Sequence, residues 1–259
     1  MIYGKLPVAF LGAIASEKNG STNSVVAGYI LEHLDQVRGM GIAELAHACH
    51  VSPSSISRFC KDIGFDSYAE LREVFETSRL EFQSPDLKES PRQRGQRTVE
   101  TILEGIELVR DSLDYAKIDQ LCAEIYQSPR VAAFGVLKAE AAAVDLQCDL
   151  LMQGKQVYTN VSYPQQLEYL FSAGQEDLVL IFSCTGAYFE YQDLRGKRDA
   201  LKAPRIWMIA GEDRDYPPFV NETLLYTPWG GRVSHPYQLQ TAASLIAQEY
   251  AAWVKRRSK

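Results

Sequence analysis

The sequence predicts an all-α N-terminal domain carrying a helix-turn-helix, joined to an α/β domain built on a doubly wound parallel sheet. Three observations carry that prediction. Residues 1–80 read as consecutive short helices with polar breaks. Residues 84–97 are polar, hold Pro85 and Pro91, and lack apolar periodicity. From Val99 onward, short apolar runs alternate with helical segments, the pattern of βαβ units whose parallel sheet is covered on both faces. A length of 259 residues fits two domains. They are placed at 1–80 and 99–259, with a linker at 81–98.

The chain opens on an apolar stretch, 8–15, that ends in Ala13-Ile14-Ala15 and imitates a signal-peptide cleavage site. Lys5 alone makes a poor basic leader and Gly12 interrupts the run, so a short helix packed on the next one is expected. No run approaches the roughly 18 apolar residues of a membrane span. A cytoplasmic protein with no membrane partner is expected. At 46% hydrophobic and 23% charged, the chain has the balance of a soluble globular protein. The five cysteines are odd in number and none has metal-site spacing, which predicts reduced thiols packed as small hydrophobes.

Residues 41–64 carry the most informative pattern. Ile42, Leu45 and Ala46 lie on one helical face, and the small Ala46 lets a second helix cross closely. A turn at 49–51 follows. Ser52 is an N-cap, and Pro53 falls at the first helical position, where its fixed φ suits the helix and its missing N–H is no loss. The second helix then buries Ile56, Phe59, Cys60 and Ile63, and Gly64 closes it as a left-handed cap. Its outward face holds Ser54, Ser55, Ser57, Arg58 and Lys61. Small hydroxyls can approach phosphates and base edges, Arg58 can pair bidentately with guanine, and Lys61 can add a sequence-blind phosphate contact. Ser52, Ser54, Ser55, Ser57, Arg58 and Lys61 are therefore the candidate contacts to double-stranded operator DNA. Residues 1–80 hold seven Lys/Arg against nine Asp/Glu, and the whole chain has a net charge of −6. A head that is not basic implies modest affinity, so two heads on a palindrome-like site are expected.

Beyond the linker, 99–113 and 118–126 read as amphipathic helices. Strands are expected at 131–136, 178–182, 206–210 and 224–226, with a further short one at 156–159. Helical segments are expected at 139–152, 188–201 and 237–254.

The head resembles the RpiR family of bacterial regulators over about residues 23–76. The resemblance rests on Ala43-Glu44-Leu45-Ala46, Val51-Ser52, Ser55-Ile56, Arg58-Phe59-Cys60-Lys61, Ile63-Gly64-Phe65, Ser67-Tyr68 and Glu70-Leu71. His50 departs from it, standing where a turn glycine is usual. The resemblance implies a transcriptional regulator of carbohydrate or amino-sugar metabolism genes, acting as a homodimer or homotetramer. It also implies a sugar isomerase (SIS) domain over about 100–255 that senses a phosphosugar or related metabolite, or serves dimerisation.

In SIS domains a G-x-G-x-S turn and an S-x-S-G-x-T/S turn hold the phosphate, since glycine admits the backbone, serine binds and the helix N-terminus adds its dipole. Here the first reads Gly135-Val136-Leu137-Lys138-Ala139, with Leu137 and Ala139 replacing glycine and serine. The second reads Ser183-Cys184-Thr185-Gly186-Ala187-Tyr188, where bulky Tyr188 replaces a small hydroxyl residue. The resemblance thus implies a degenerate effector site of Gly135, Lys138, Ser183, Thr185, Gly186 and Tyr188, bordered by Arg232, Ser234 and His235. Two alternatives stand beside a sensor: a non-sensing SIS scaffold and a sugar-phosphate isomerase. An isomerase needs a general base, and of the four histidines only His235 lies outside the head. No nucleophile elbow, metal cluster or Walker loop is found, so neither catalysis nor a cofactor is expected.

Overall fold

A computed structural model describes residues 5–77, 86–192, 194 and 196–257. The head comprises α1 (Lys5–Ser16), α2 (Thr22–Glu32), the single turn α3 (Leu34–Val37), α4 (Ile42–Ala48), α5 (Pro53–Asp62) and α6 (Tyr68–Thr77). Its core gathers Leu6, Phe10, Val26, Ile30, Leu45, Ile56, Phe59, Leu71 and Phe75, all fully buried. Phe10 stacks on both Phe59 and Phe75, at centroid distances of 5.8 and 6.1 Å, and so ties α1 to α5 and α6. The apolar opening of the chain is thus the helix that the sequence predicts.

The body follows with α7 (Pro91–Ser112), α8 (Tyr115–Gln127), β1 (Arg130–Phe134), α9 (Glu140–Met152), α10 (Tyr163–Ser172), β2 (Asp177–Ser183), β3 (Arg205–Ala210), β4 (Glu222–Leu225) and α11 (Gly231–Arg257). Among the described residues the strands form one parallel sheet in the order β1-β2-β3-β4. Alternate strand residues face opposite layers. Val131, Ala133, Leu178, Leu180, Phe182, Trp207 and Ile209 meet α7, α8, α9 and α11. Ala132, Phe134, Val179, Ile181, Ile206 and Met208 meet α10, the 188–201 segment and Val8 of α1. The fold is the doubly wound α/β class expected.

Several elements differ from their sequence reading. Residues 91–98, expected in the linker, are the first turns of α7. Ser90 caps it, its Oγ accepting from Gln93 N while Gln93 Oε1 accepts from Ser90 N, and Pro91 takes the first helical position. Residues 81–85 of that linker lie outside the described residues. Among its described residues, the segment 188–201 forms no α-helix. It contains two single 3-10 turns, Tyr188–Glu190 and Ala200–Lys202, with Gly196 at φ +78° between them. The short strand expected at 156–159 is one parallel bridge, Tyr158 to Ala132. Helix α10 is absent from the sequence reading, although Tyr163, Leu167 and Leu170 carry helical spacing after Ser162. Three cysteines (Cys49, Cys60 and Cys122) are buried thiols as expected, while Cys148 is exposed and Cys184 half-buried.

Tyr158 adds to the outer edge of β1, whereas the next strand, β2, pairs with the other edge of β1. The chain therefore reverses direction across the sheet at the C-terminal end of β1. In open α/β sheets this reversal opens a crevice.

Candidate nucleic-acid interface and strand-end site

Helix α4 ends in a Schellman motif, with His50 N donating to His47 O and Val51 N to Ala46 O. That motif needs a left-handed residue, and His50 adopts φ +55° where glycine would be at ease. The same motif closes α5, with Gly64 at φ +92°, Gly64 N donating to Lys61 O and Phe65 N to Cys60 O. Between them Ser52 caps α5, its Oγ accepting from Ser55 N at 3.1 Å and lying 2.7 Å from Ser54 Oγ. Ser57 Oγ donates to Pro53 O. Ser52, Ser54, Ser57, Arg58 and Lys61 are exposed and Ser55 is half-buried. Arg58 is 85% exposed and meets Asp62 only at 3.9 Å, a pair weak enough to yield to a phosphate or base. Lys61 also borders a groove between head and body that is lined by Glu17, Asp62 and Glu168.

At the strand ends, β1 runs through Gly135 into a 3-10 turn, Leu137–Ala139, and directly into α9. A Cβ on Gly135 would stand 2.6 Å from the Ala139 carbonyl carbon, so only glycine fits. Leu137 keeps a left-handed φ of +55°, the backbone of the glycine it replaces. Glu140, 5% exposed, fills this turn. Its Oε2 accepts from Gly135 N at 2.9 Å and from Gln166 Nε2 at 3.0 Å, and its Oε1 accepts from Thr159 Oγ1 at 2.6 Å. Burial pushes the Glu140 carboxyl up to about 7 against the pull of these donors.

Gln166 in turn reaches Gly135 O, and its Oε1 accepts from Tyr188 OH at 2.7 Å. Tyr188 is fully buried and its own carbonyl accepts from Tyr163 OH. Gln166 therefore joins the two loops. Ser183 ends β2 and accepts from Gly186 N through its carbonyl. Gly186, at φ +67°, lies under Tyr216 and Arg214, and Arg214 donates to Thr185 O at 3.2 Å. His235, in the first turns of α11, is buried. Burial and the nearby Lys138 charge push its pKa down to about 4. The sequence-predicted residues thus fall into separate groups, with Gly135 and Tyr188 joined through Gln166, Thr185 and Gly186 capped by Arg214, and Lys138 beside His235. Glu140, Thr159 and Gln166 are absent from the sequence reading. An acidic residue in the first turn of a helix after a glycine turn is the signal that marks Glu140.

Residues 10–79 match the family model described as a helix-turn-helix domain, rpiR family. The head is an rpiR-family helix-turn-helix domain. An uncharacterised HTH-type transcriptional regulator in the aarA 3' region of Providencia stuartii is 25% identical over 175 residues, 64% of this chain and 61% of that protein. The HTH-type transcriptional regulator GlvR of Bacillus subtilis is 32% identical over 120 residues, 46% of this chain and 43% of GlvR. The chain thus spans about half the length of these curated relatives. An Escherichia coli CFT073 protein, solved in complex with a ligand, is 14% identical, with a TM-score of 0.52 over 63% of this chain and 90% of that one. It shares the fold of the body. The head is thus followed by a doubly wound α/β domain.

Proposed function

We propose that this protein is a cytoplasmic, DNA-binding transcriptional regulator of carbohydrate or amino-sugar metabolism genes. The observation that carries this reading is the exposed face of α5, capped by Ser52 and centred on Ser54, Ser57 and Arg58, in a head of the rpiR family. The slightly acidic head favours assembly as a homodimer or homotetramer that engages two half-sites, with α5 of each head in a major groove. Among the described residues no helix is long and apolar enough to cross a membrane, which accords with a protein working at DNA. The curated relatives above are named as transcriptional regulators, which supports a non-enzymatic role. Glu140 and His235 are buried, and Glu140 is engaged by three donors. The strand-end crevice is the effector site of this reading.

Operator fragments selected from genomic DNA by the wild-type protein test the assignment. Arg58→Ala should weaken operator binding by at least about tenfold, the value of one bidentate base contact, without lowering Tm. Lys61→Ala should weaken binding to all sequences alike and flatten its salt dependence. Unchanged operator affinity in Arg58→Ala would overturn the recognition-helix assignment.

A further inference from the structure

The two halves of α7 differ in packing and in charge. Thr101 and Gly105 lie against Gly230 and Ser234 beside α11, whereas residues 91–100 are exposed apart from the half-buried Arg94. Nearly three turns of helix with no packed face are marginal in water. The charges separate at Val99. Residues 91–98 hold Arg92, Arg94 and Arg97 and no acid, and residues 100–107 hold Glu100, Glu104 and Glu107 and no base. Glu89 offsets Arg97 at 2.6 Å, while Arg94 donates to the Asp86 and Glu89 carbonyls and keeps its charge. Arg92 and Arg94 also sit in the first turn, at the positive end of the helix dipole, where a lone helix gains nothing from a cation. One ridge crosses both halves, made by Gly95, Val99 and Leu103 at four-residue spacing. Val99 and Leu103 are each 55% exposed. A Cβ on Gly95 would meet nothing within 4 Å, so its own chain gives no reason for this poor helix former.

We propose that α7 pairs with α7 of a second copy of this chain, antiparallel, across the ridge of Gly95, Val99 and Leu103. With Val99 on the two-fold axis, Gly95 of each copy receives Leu103 of the other, the close approach that glycine permits. The same register sets Arg94 level with Glu104 of the second copy, Arg92 beside its Glu107 and Arg97 beside its Glu100. Each basic half thus lies along an acidic half, and the acidic half supplies the negative charge that the positive end of the helix dipole lacks. A parallel pair would set arginine against arginine. The contact is isologous, as a closed dimer requires. The inference rests on the reading of the protein as a regulator that works as a dimer, and it assigns the face that joins the two copies.

Sedimentation equilibrium of the full chain at low salt tests the charge pairing. Wild type should be a dimer at micromolar concentration. Arg94→Glu and Glu104→Arg should each weaken the dimer by about tenfold, and the double variant should return to within about threefold of wild type. A monomeric wild type, or single variants that dimerise as wild type does, would overturn the proposal. Disulfide trapping tests the register in a Cys148→Ser background, which removes the exposed native thiol. Val99→Cys should cross-link to itself on mild oxidation, because the two copies meet there. Arg92→Cys should not, since the pairing holds the two copies of that position roughly 21 Å apart along the helices. Cross-linking through position 92 instead of 99 would refute the antiparallel register. Operator binding by the same wild-type preparation separates the two ideas, because its loss would defeat the regulator reading whatever the state of assembly.

Discussion

His50 holds a left-handed backbone that the Schellman end of α4 requires, and its side chain is exposed. A non-glycine residue in that region costs about 1–3 kcal/mol, while glycine raises the entropy of the unfolded chain by roughly 0.4–1 kcal/mol. His50→Gly should therefore stabilise the protein by about 1 kcal/mol and raise Tm by about 2–4 °C in thermal unfolding. A lower Tm would show that His50 makes contacts worth more than its strain. Leu137 has the same φ but packs against the apolar layer that contains Val8 and Tyr163, so the same substitution there loses burial and should not stabilise. The two positions show what is legible at this scale. Both stand out in the sequence as residues in place of an expected glycine. Their backbone conformation follows from the turn, whereas the value of each side chain depends on neighbours that are distant in the chain. Ser52, Pro53 and Gly64 were readable in full because caps act within a few residues.

Helix α7 crosses α11 where Gly105 faces Ser234. A Cβ on Gly105 would stand 1.9 Å from Ser234 Oγ and 3.1 Å from Ser234 Cβ. Both residues sit in the layer that also seats Gln238, whose amide donates to Gly105 O and Thr227 O. Gly105→Ala should destabilise by about 1–3 kcal/mol through overpacking, even though alanine is the better helix former. Adding Ser234→Ala removes the closest atom, so the double variant should recover part of that loss. Urea unfolding of the four proteins checks this, and strict additivity would refute a direct contact between the two positions. Elements of strong period, such as β1, β2, β3 and α11, were legible because burial on a sheet face or a helix stripe repeats in the sequence. The start of α7 was not. Pro91 reads as a breaker until Ser90 and Gln93 are recognised as a capping box around it. The 188–201 segment failed the other way, as its polar residues suggested a surface helix where Gly196 and two short turns stand.

In the whole molecule, head and body share a boundary that no local pattern announces. Val8 of α1 joins the apolar layer of the body, and a Cβ on Gly12 would stand 3.4 Å from the Val161 carbonyl oxygen. Glu140 and His235, both buried in the body, titrate between about pH 4 and 7 and pull stability in opposite directions with pH. Glu140 is raised from an ordinary value of 4.5 to about 7, so its contribution is complete below pH 4.5 and is lost as pH rises to about 7. His235 is lowered from 6.5 to about 4, so its contribution is complete above pH 6.5 and is lost as pH falls to about 4. Each shift corresponds to about 3 kcal/mol. Asp177, held down to about 2 by the Arg130 guanidinium, loses its contribution only below pH 3.8, outside this window. Between pH 4.5 and 6.5 the slopes of Glu140 and His235 oppose, and wild-type stability should be nearly flat. Glu140→Gln leaves His235 alone, so the urea midpoint should rise with pH across that range. His235→Asn leaves Glu140 alone, so the midpoint should fall. Slopes of the same sign in the two variants would show that these groups do not set the profile. Opposite slopes would place Glu140 at the β1–α9 turn as a buried carboxyl that the folded protein holds protonated until the pH approaches 7.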